Sequence, residues 1–161
     1  MTDFLAGIEA FLQSFSPEEV AVTREAFQGL LHGRATRVES LASILNLPAP
    51  VVETAVARLV ECGTMARDAE TGEVVAARGL SLTETPHTLT LDGHQVHAFC
   101  AIDAVGIPAA LHLDARADSR CHLCGAPLTI TFTAGVVTQA PAGVVIWATE
   151  RDLTRPLHTY T

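Results

Sequence analysis

The spacing of apolar residues changes at Gly63, and this change limits the folds that the chain can adopt. After Gly63, two short apolar runs flank the turn at residues 68–72 and predict a β-hairpin. Two short helices followed by a hairpin are typical of a winged helix-turn-helix. Before Gly63, apolar residues at helical spacing predict helices at residues 4–14 and 51–61. The helix-start pattern Ser16-Pro17-Glu18-Glu19 predicts a helix at residues 17–31, and a short helix is expected at residues 37–46.

Short strands and one helix are predicted for the rest of the chain. Residues 88–91 and 95–98 predict two strands, which are joined at the compact turn Asp92-Gly93-His94. Residues 99–110 predict a helix that Pro108 ends or kinks, because helical spacing is shared by Cys100, Asp103, Ala104 and Ile107. Further strands are predicted at residues 111–115, 128–133 and 144–149.

These elements predict an α+β protein with two domains. We expect an N-terminal helical domain, similar to a winged helix-turn-helix, at residues 1–80. We expect a mixed β-sheet domain at residues 81–161, with one helix that carries Cys100 and Asp103. A chain of 161 residues with 48% hydrophobic residues can bury one core or two small ones.

The charge of the chain argues against some classes of partner. The formal net charge is −8, with ten arginines and no lysine, so nucleic acid is an unlikely partner and anionic membranes are not favoured. No apolar run approaches the roughly 20 residues of a membrane span. The first residues lack the basic segment of a secretory signal. We therefore expect a cytoplasmic protein whose cysteines are free thiols or metal ligands: Cys62, Cys100, Cys121 and Cys124.

Cys100 and Asp103 are the first candidate functional residues. On a helix, the i, i+3 spacing puts the thiol and the carboxyl group on one face. A thiolate suits a soft metal or electrophile, and an acid beside it can deliver a proton to a leaving group. The alternatives are a small buried thiol for Cys100 and a helix-dipole partner for Asp103.

Cys121 and Cys124 form a Cys-x-x-Cys pair that is followed by Gly125. This pattern is typical of a tight turn that aims two sulfurs at one metal. A redox role is less favoured, because the pair does not open a helix after a strand. A structural zinc site needs four ligands, so zinc would also require side chains from the set Cys100, His97, His112 and His122.

The winged-helix pattern suggests DNA binding as one hypothesis. Residues 50–61, the candidate recognition helix, contain a single basic residue, Arg58, together with Glu53 and Glu61. DNA-binding proteins use several basic side chains to neutralise phosphates. We therefore favour a scaffold role for the helical domain, and a metal-responsive regulator remains an alternative.

Several short motifs occur in a fixed order in the second half of the chain. They are Gly79–Thr85, His97–Asp103, Ile107–Ala110, Cys124–Pro127 and Pro141–Gly143. Together with the helical domain before them, these motifs resemble the alkylmercury lyase (organomercurial lyase) family. The resemblance extends from about residue 34 to residue 143 and is densest at residues 79–127.

The resemblance implies protonolysis of a carbon–mercury bond. Cys100 would bind mercury as a thiolate, Asp103 would carry the proton, and Cys121 matches a family cysteine that is usually read as structural. The family has a second catalytic cysteine further downstream, and no cysteine follows Cys124 here. We therefore expect a divergent or C-terminally shortened member in which Cys121 or Cys124 supplies the second thiol. The expected mercury-binding set is Cys100, Cys121 and Cys124.

The resemblance also implies the cofactors and partners. No cofactor is required, mercury is the metal of the substrate, and zinc at the Cys-x-x-Cys pair stays open. The expected partners are an organomercurial small molecule and a thiol or mercuric-ion reductase that accepts the released mercury. The alternative function is a non-catalytic mercury- or zinc-binding protein, or a metal-responsive regulator, on the same scaffold.

Overall fold

The computed structural model describes residues 13–146, and three helices build its first part. The helices are α1 (Pro17–Leu31), α2 (Val38–Leu45) and α3 (Ala49–Glu61). They confirm three of the four helices predicted before Gly63. The fourth, at residues 4–14, lies outside the described residues apart from its last two positions.

Eight strands form a single sheet, and a fourth helix lies between two of them. The order across the sheet is β1-β2-β3-β5-β4-β6-β7-β8. Helix α4 (Ala101–Ala110) joins β5 to β6. The strands are β1 (Met65–Arg67), β2 (Val74–Ala77), β3 (Leu80–Ser81), β4 (His87–Leu91), β5 (His94–Ala98), β6 (Ala115–Arg120), β7 (Pro127–Thr133) and β8 (Val136–Gln139).

All strand pairings between residues 13 and 146 are antiparallel, so the prediction of a mixed sheet is wrong. The route of the chain through α4 explains the difference. A helical crossover returns the chain in the direction of the strand that it left. Here β6 does run parallel to β5, but it is inserted next to β4, which is antiparallel to both.

Other strand bounds also differ from the prediction. Residues 111–114 form the turn after α4, and the strand predicted there begins only at Ala115. Residues 144–146 are not in a strand, and the rest of the strand predicted at 144–149 lies outside the described residues. The short strands β3 and β8 are not predicted from the sequence. Both are recognisable only by their pairing with neighbouring strands.

One hydrophobic core connects the helices to the sheet. Helices α1 and α3 pack on each other and on β1 and β2, while α4 covers the face of β4, β5 and β6. Strand β3 pairs with β2 on one side and β5 on the other, so the sheet continues across the predicted boundary at residue 80. The division into two domains stays a prediction. Fully buried side chains of this core include Leu30, Leu41, Leu59, Leu80, Leu89, Val96 and Phe132.

The helices are short compared with a membrane span. Between residues 13 and 146, no single helix is long and apolar enough to cross a membrane. Helices α2 and α3 reach that length and composition only as a pair, with a bend of 119° between them.

Candidate active site

Cys100 lies at the junction between β5 and α4. Its backbone is extended (φ −151°, ψ 173°), and it is the N-cap residue of α4 rather than part of the helix. The prediction of a helix from residue 99 is therefore wrong at its first two positions. The reason is non-local: the Phe99 backbone N–H donates to the Gly79 carbonyl oxygen at 2.8 Å, which keeps this segment beside β3.

The Cys100 thiol donates a hydrogen bond to Asp103 Oδ2, with 3.1 Å between sulfur and oxygen. Partial burial raises the pKa of this thiol to about 11, and the negative charge of Asp103 acts in the same direction. The backbone N–H groups of Asp103 and Ile102 oppose this shift, because they stabilise a thiolate at the start of α4. At neutral pH Cys100 is therefore a protonated thiol whose proton already points at a carboxylate.

Gly79 lies against the Asp103 side chain from the turn between β2 and β3. A Cβ atom built on Gly79 would lie 2.6 Å from both Cγ and Oδ1 of Asp103. The carboxyl group thus has its Oδ1 close to Gly79 and its Oδ2 hydrogen-bonded to the Cys100 thiol. In the sequence, Gly79 is recognisable only as part of a motif, and its closeness to Asp103 depends on the fold.

His87 is a further residue beside this pair. In the sheet it lies directly opposite Ala98, and its Nδ1 is 2.8 Å from Ser119 Oγ on β6. Burial lowers the pKa of His87, and the Asp103 carboxylate partly offsets this shift. The imidazole is therefore predominantly neutral near pH 7. The residues around His87 in the sequence do not predict its closeness to Ser119, because that closeness depends on the register between β4 and β6.

Cys121 and Cys124 lie in a tight turn between β6 and β7. The Cys121 backbone N–H donates to the Ala126 carbonyl oxygen, and the Gly125 N–H donates to the Cys121 carbonyl oxygen, both at 2.8 Å. Backbone N–H groups of Cys124 and Leu123 lower the pKa of the Cys121 thiol, as does the Cys124 side chain. Both thiols are free, and Cys124 is exposed.

Comparison with known proteins identifies the family of the chain. Residues 80–160 match the sequence model of one protein family, described as alkylmercury lyase. The chain belongs to the alkylmercury lyase family. Its relatives include an alkylmercury lyase of Pseudomonas putida, 32% identical over 132 residues, which are 81% of this chain and 60% of the relative. An alkylmercury lyase of Streptomyces lividans is 31% identical over 137 residues, covering 84% of this chain and 61% of the relative.

The chain is shorter than these lyases. It covers 55% of the length of a third relative, an alkylmercury lyase of Bacillus cereus that is 30% identical over 124 residues. The chain thus spans between 55% and 61% of the length of these three relatives. A solved structure, the mercury-bound form of MerB2, is similar with a TM-score of 0.87 and 28% identity. The match covers 94% of this chain and 73% of that one.

The candidate residues of this lyase-family chain form two pairs. Cys100 is next to Asp103, and Cys121 is next to Cys124. No group of three or more His, Cys, Asp or Glu side chains among residues 13–146 is placed to hold a metal ion. Cys100 therefore does not combine with the Cys-x-x-Cys pair into one three-thiol site there. Within that range, no third or fourth ligand lies beside the Cys121–Cys124 pair. Cys62, the C-cap residue of α3, is half-buried and free.

The two pairs should differ in thiol reactivity. The pKa of Cys121 is lowered and that of Cys100 is raised to about 11, so Cys121 forms a thiolate at the lower pH. We expect iodoacetamide to label Cys121 near neutral pH, and Cys100 to become reactive only as the pH rises towards about 11. Mass spectrometry of the labelled peptides measures both rates. Equal labelling of the two residues at neutral pH would contradict the assignment.

Proposed function

We propose that this protein cleaves carbon–mercury bonds by protonolysis, with Cys100 as the mercury-binding thiolate and Asp103 as the proton carrier. The observation that carries the proposal is the 3.1 Å hydrogen bond from the Cys100 thiol to Asp103 Oδ2. Membership of the alkylmercury lyase family supports this reaction class. The similarity to a mercury-bound form of MerB2 supports mercury as the substrate metal.

The geometry supports a sequence of two proton transfers. As the Cys100 sulfur bonds to the mercury of an organomercurial cation, its proton passes to the Asp103 carboxylate along the existing hydrogen bond. Asp103 then gives the proton to carbon while the carbon–mercury bond breaks and its electron pair goes to carbon. The hydrocarbon leaves, and Hg(II) stays on the Cys100 thiolate until other thiols accept it.

Benzene release from phenylmercury acetate tests this function. The purified protein is incubated with the substrate and excess small-molecule thiol, and benzene is measured by gas chromatography. Catalytic release supports the lyase. Retention of phenylmercury on the protein without benzene would contradict it, and would favour the alternative of a non-catalytic soft-metal binder.

The Cys121–Cys124 pair is proposed as a separate soft-metal site. Two adjacent thiols, one with a lowered pKa, are suitable ligands for Hg(II), which prefers thiolates, and zinc is a second candidate. In this role the pair would take mercury from Cys100 before a thiol or a mercuric-ion reductase removes it.

We expect Cys124→Ser to lower the amount of Hg(II) that the protein retains, as measured by ultraviolet titration, and Cys62→Ser to leave that amount unchanged. Equal retention in both variants would contradict this role.

The helical part is proposed as a winged helix-turn-helix-like scaffold that does not bind nucleic acid. Two of its arginines are engaged with carboxylates: Arg67 makes two hydrogen bonds of 2.7 Å to Glu53, and Arg37 pairs with Glu73 at 2.9 Å. Such pairs neutralise the cationic side chains that phosphate contacts need.

We also propose a cytoplasmic location, because the four cysteines are free and a reducing compartment keeps thiols in that state.

A further inference from the structure

We propose that Gly79 is a positioning residue for Asp103: the absence of a side chain on Gly79 lets the Asp103 carboxyl group point its Oδ2 atom at the Cys100 thiol. The effect on turnover rests on the proposed lyase function. The positioning itself does not rest on that function, because it concerns only how Gly79 and Asp103 pack against each other within the protein.

The first observation is the lack of space at Gly79. The three atoms nearest to a Cβ built on this residue all belong to Asp103: Cγ and Oδ1 at 2.6 Å and Cβ at 3.1 Å. Ordinary van der Waals contact begins at about 3.4 Å, so any side chain at this position would have to displace the carboxyl group. Oδ1 therefore occupies the space that a side chain at position 79 would need, and Oδ2 accepts the hydrogen bond from the Cys100 thiol.

The second observation is that the turn carrying Gly79 is held in place from two sides. The Gly79 carbonyl oxygen accepts from the Phe99 N–H at 2.8 Å, and the Arg78 N–H donates to the Thr64 carbonyl oxygen at 3.2 Å. The next residue, Leu80, pairs with Ala98 in the sheet. Because these bonds fix the turn relative to the segment before Cys100, the turn cannot retreat without breaking sheet pairing.

The third observation is the backbone conformation of the turn. Gly79 has φ +89° and Arg78 has φ +49°, so two consecutive residues adopt left-handed conformations between β2 and β3. Glycine adopts such angles at low cost, whereas an alanine there is strained. A substitution at Gly79 thus has two separable effects, backbone strain and collision with Asp103.

Two control glycines separate these effects. Gly72 has φ +70° with nothing within 4 Å of a built Cβ, so Gly72→Ala introduces strain alone. Gly135 has φ +78°, and a Cβ there would lie 2.8 Å from His112 Cα, so Gly135→Ala introduces strain and crowding away from Asp103. Asp103→Gly removes all three atoms that a methyl group on residue 79 would meet.

The test is a double-mutant cycle with two readouts. We expect Gly79→Ala to lower the melting temperature much more in the wild-type background than in the Asp103→Gly background. We also expect it to raise the rate of Cys100 alkylation at mildly alkaline pH roughly three- to tenfold, since losing the carboxylate contact favours the thiolate. Gly72→Ala and Gly135→Ala should leave that rate unchanged.

The outcomes are decisive in each case. An equal loss of stability in both backgrounds, or an unchanged alkylation rate in Gly79→Ala, would overturn the proposal. If Gly79→Ala does not fold, recovery of folding in Gly79→Ala/Asp103→Gly supports it, and failure of both contradicts it. Absence of benzene release from the wild type would overturn the lyase function, while the melting and alkylation results would still decide the role of Gly79.

Discussion

Cys100→Ser is expected to abolish benzene release from phenylmercury acetate. The hydroxyl group of serine is a hard, weakly acidic ligand, whereas the mercury of an organomercurial prefers a soft thiolate. In the proposed mechanism, loss of the sulfur leaves Asp103 with neither a bound substrate to protonate nor the proton of the thiol that now lies 3.1 Å from its Oδ2. We expect turnover to fall by about a thousandfold or more, as is typical when the residue that bonds to the substrate is removed.

The matched control is Cys62→Ser. Cys62 is a free, half-buried thiol at the end of α3, outside the Cys100–Asp103 pair, so its loss should leave turnover unchanged. Equal turnover in Cys100→Ser and wild type would remove Cys100 from the reaction. Cys121→Ser and Cys124→Ser then show whether either thiol of the second pair carries out the cleavage instead.

The parts of the fold that the sequence predicts are those with local signals. Helix α1 begins at Pro17 as predicted, because Ser16 and Glu19 satisfy each other's backbone N–H groups within four residues of chain. Helix α3 starts two residues before its predicted start, at Ala49. The β4–β5 hairpin is equally local, since its strands are joined by a compact turn.

The site itself is only partly predictable, because its geometry depends on contacts between distant residues. The i, i+3 spacing predicts that Cys100 and Asp103 are close, and their side chains are in contact although Cys100 lies just outside the helix. The contact between Gly79 and Asp103 requires the β3–β5 pairing. The position of His87 beside Ser119 requires the β4–β6 register. A single sequence contains no pattern that fixes either pairing.

The same dependence explains why the predicted three-thiol set separates into two pairs. Cys121 and Cys124 follow β6, at the turn into β7, whereas Cys100 precedes α4 after β5. The spacing within each pair is local and is predicted correctly. The placement of one pair relative to the other depends on the order of the strands, in which β4 lies between β5 and β6.

Asp103→Asn is expected to separate mercury binding from cleavage. The amide has nearly the shape of the carboxyl group, so the contact with Gly79 is kept, but it cannot accept and return a proton. We expect turnover to fall by about a hundredfold to ten-thousandfold, the usual contribution of a general acid–base group. Phenylmercury should still bind to Cys100, and intact-protein mass spectrometry detects the adduct.

The upward shift of the Cys100 pKa supports the expectation that Asp103→Asn still binds phenylmercury. The Asp103 carboxylate is one of the causes that raise the pKa of the thiol to about 11, so the neutral amide should lower that pKa towards the ordinary thiol value. A more acidic Cys100 binds mercury at least as well at neutral pH, and the pH dependence of iodoacetamide labelling at Cys100 should move to lower pH.

If Asp103→Asn instead loses the phenylmercury adduct together with turnover, Asp103 serves binding rather than proton transfer. If it turns over like the wild type, the proton comes from another group, and His87, whose pKa is influenced by the Asp103 carboxylate, is the first residue to replace.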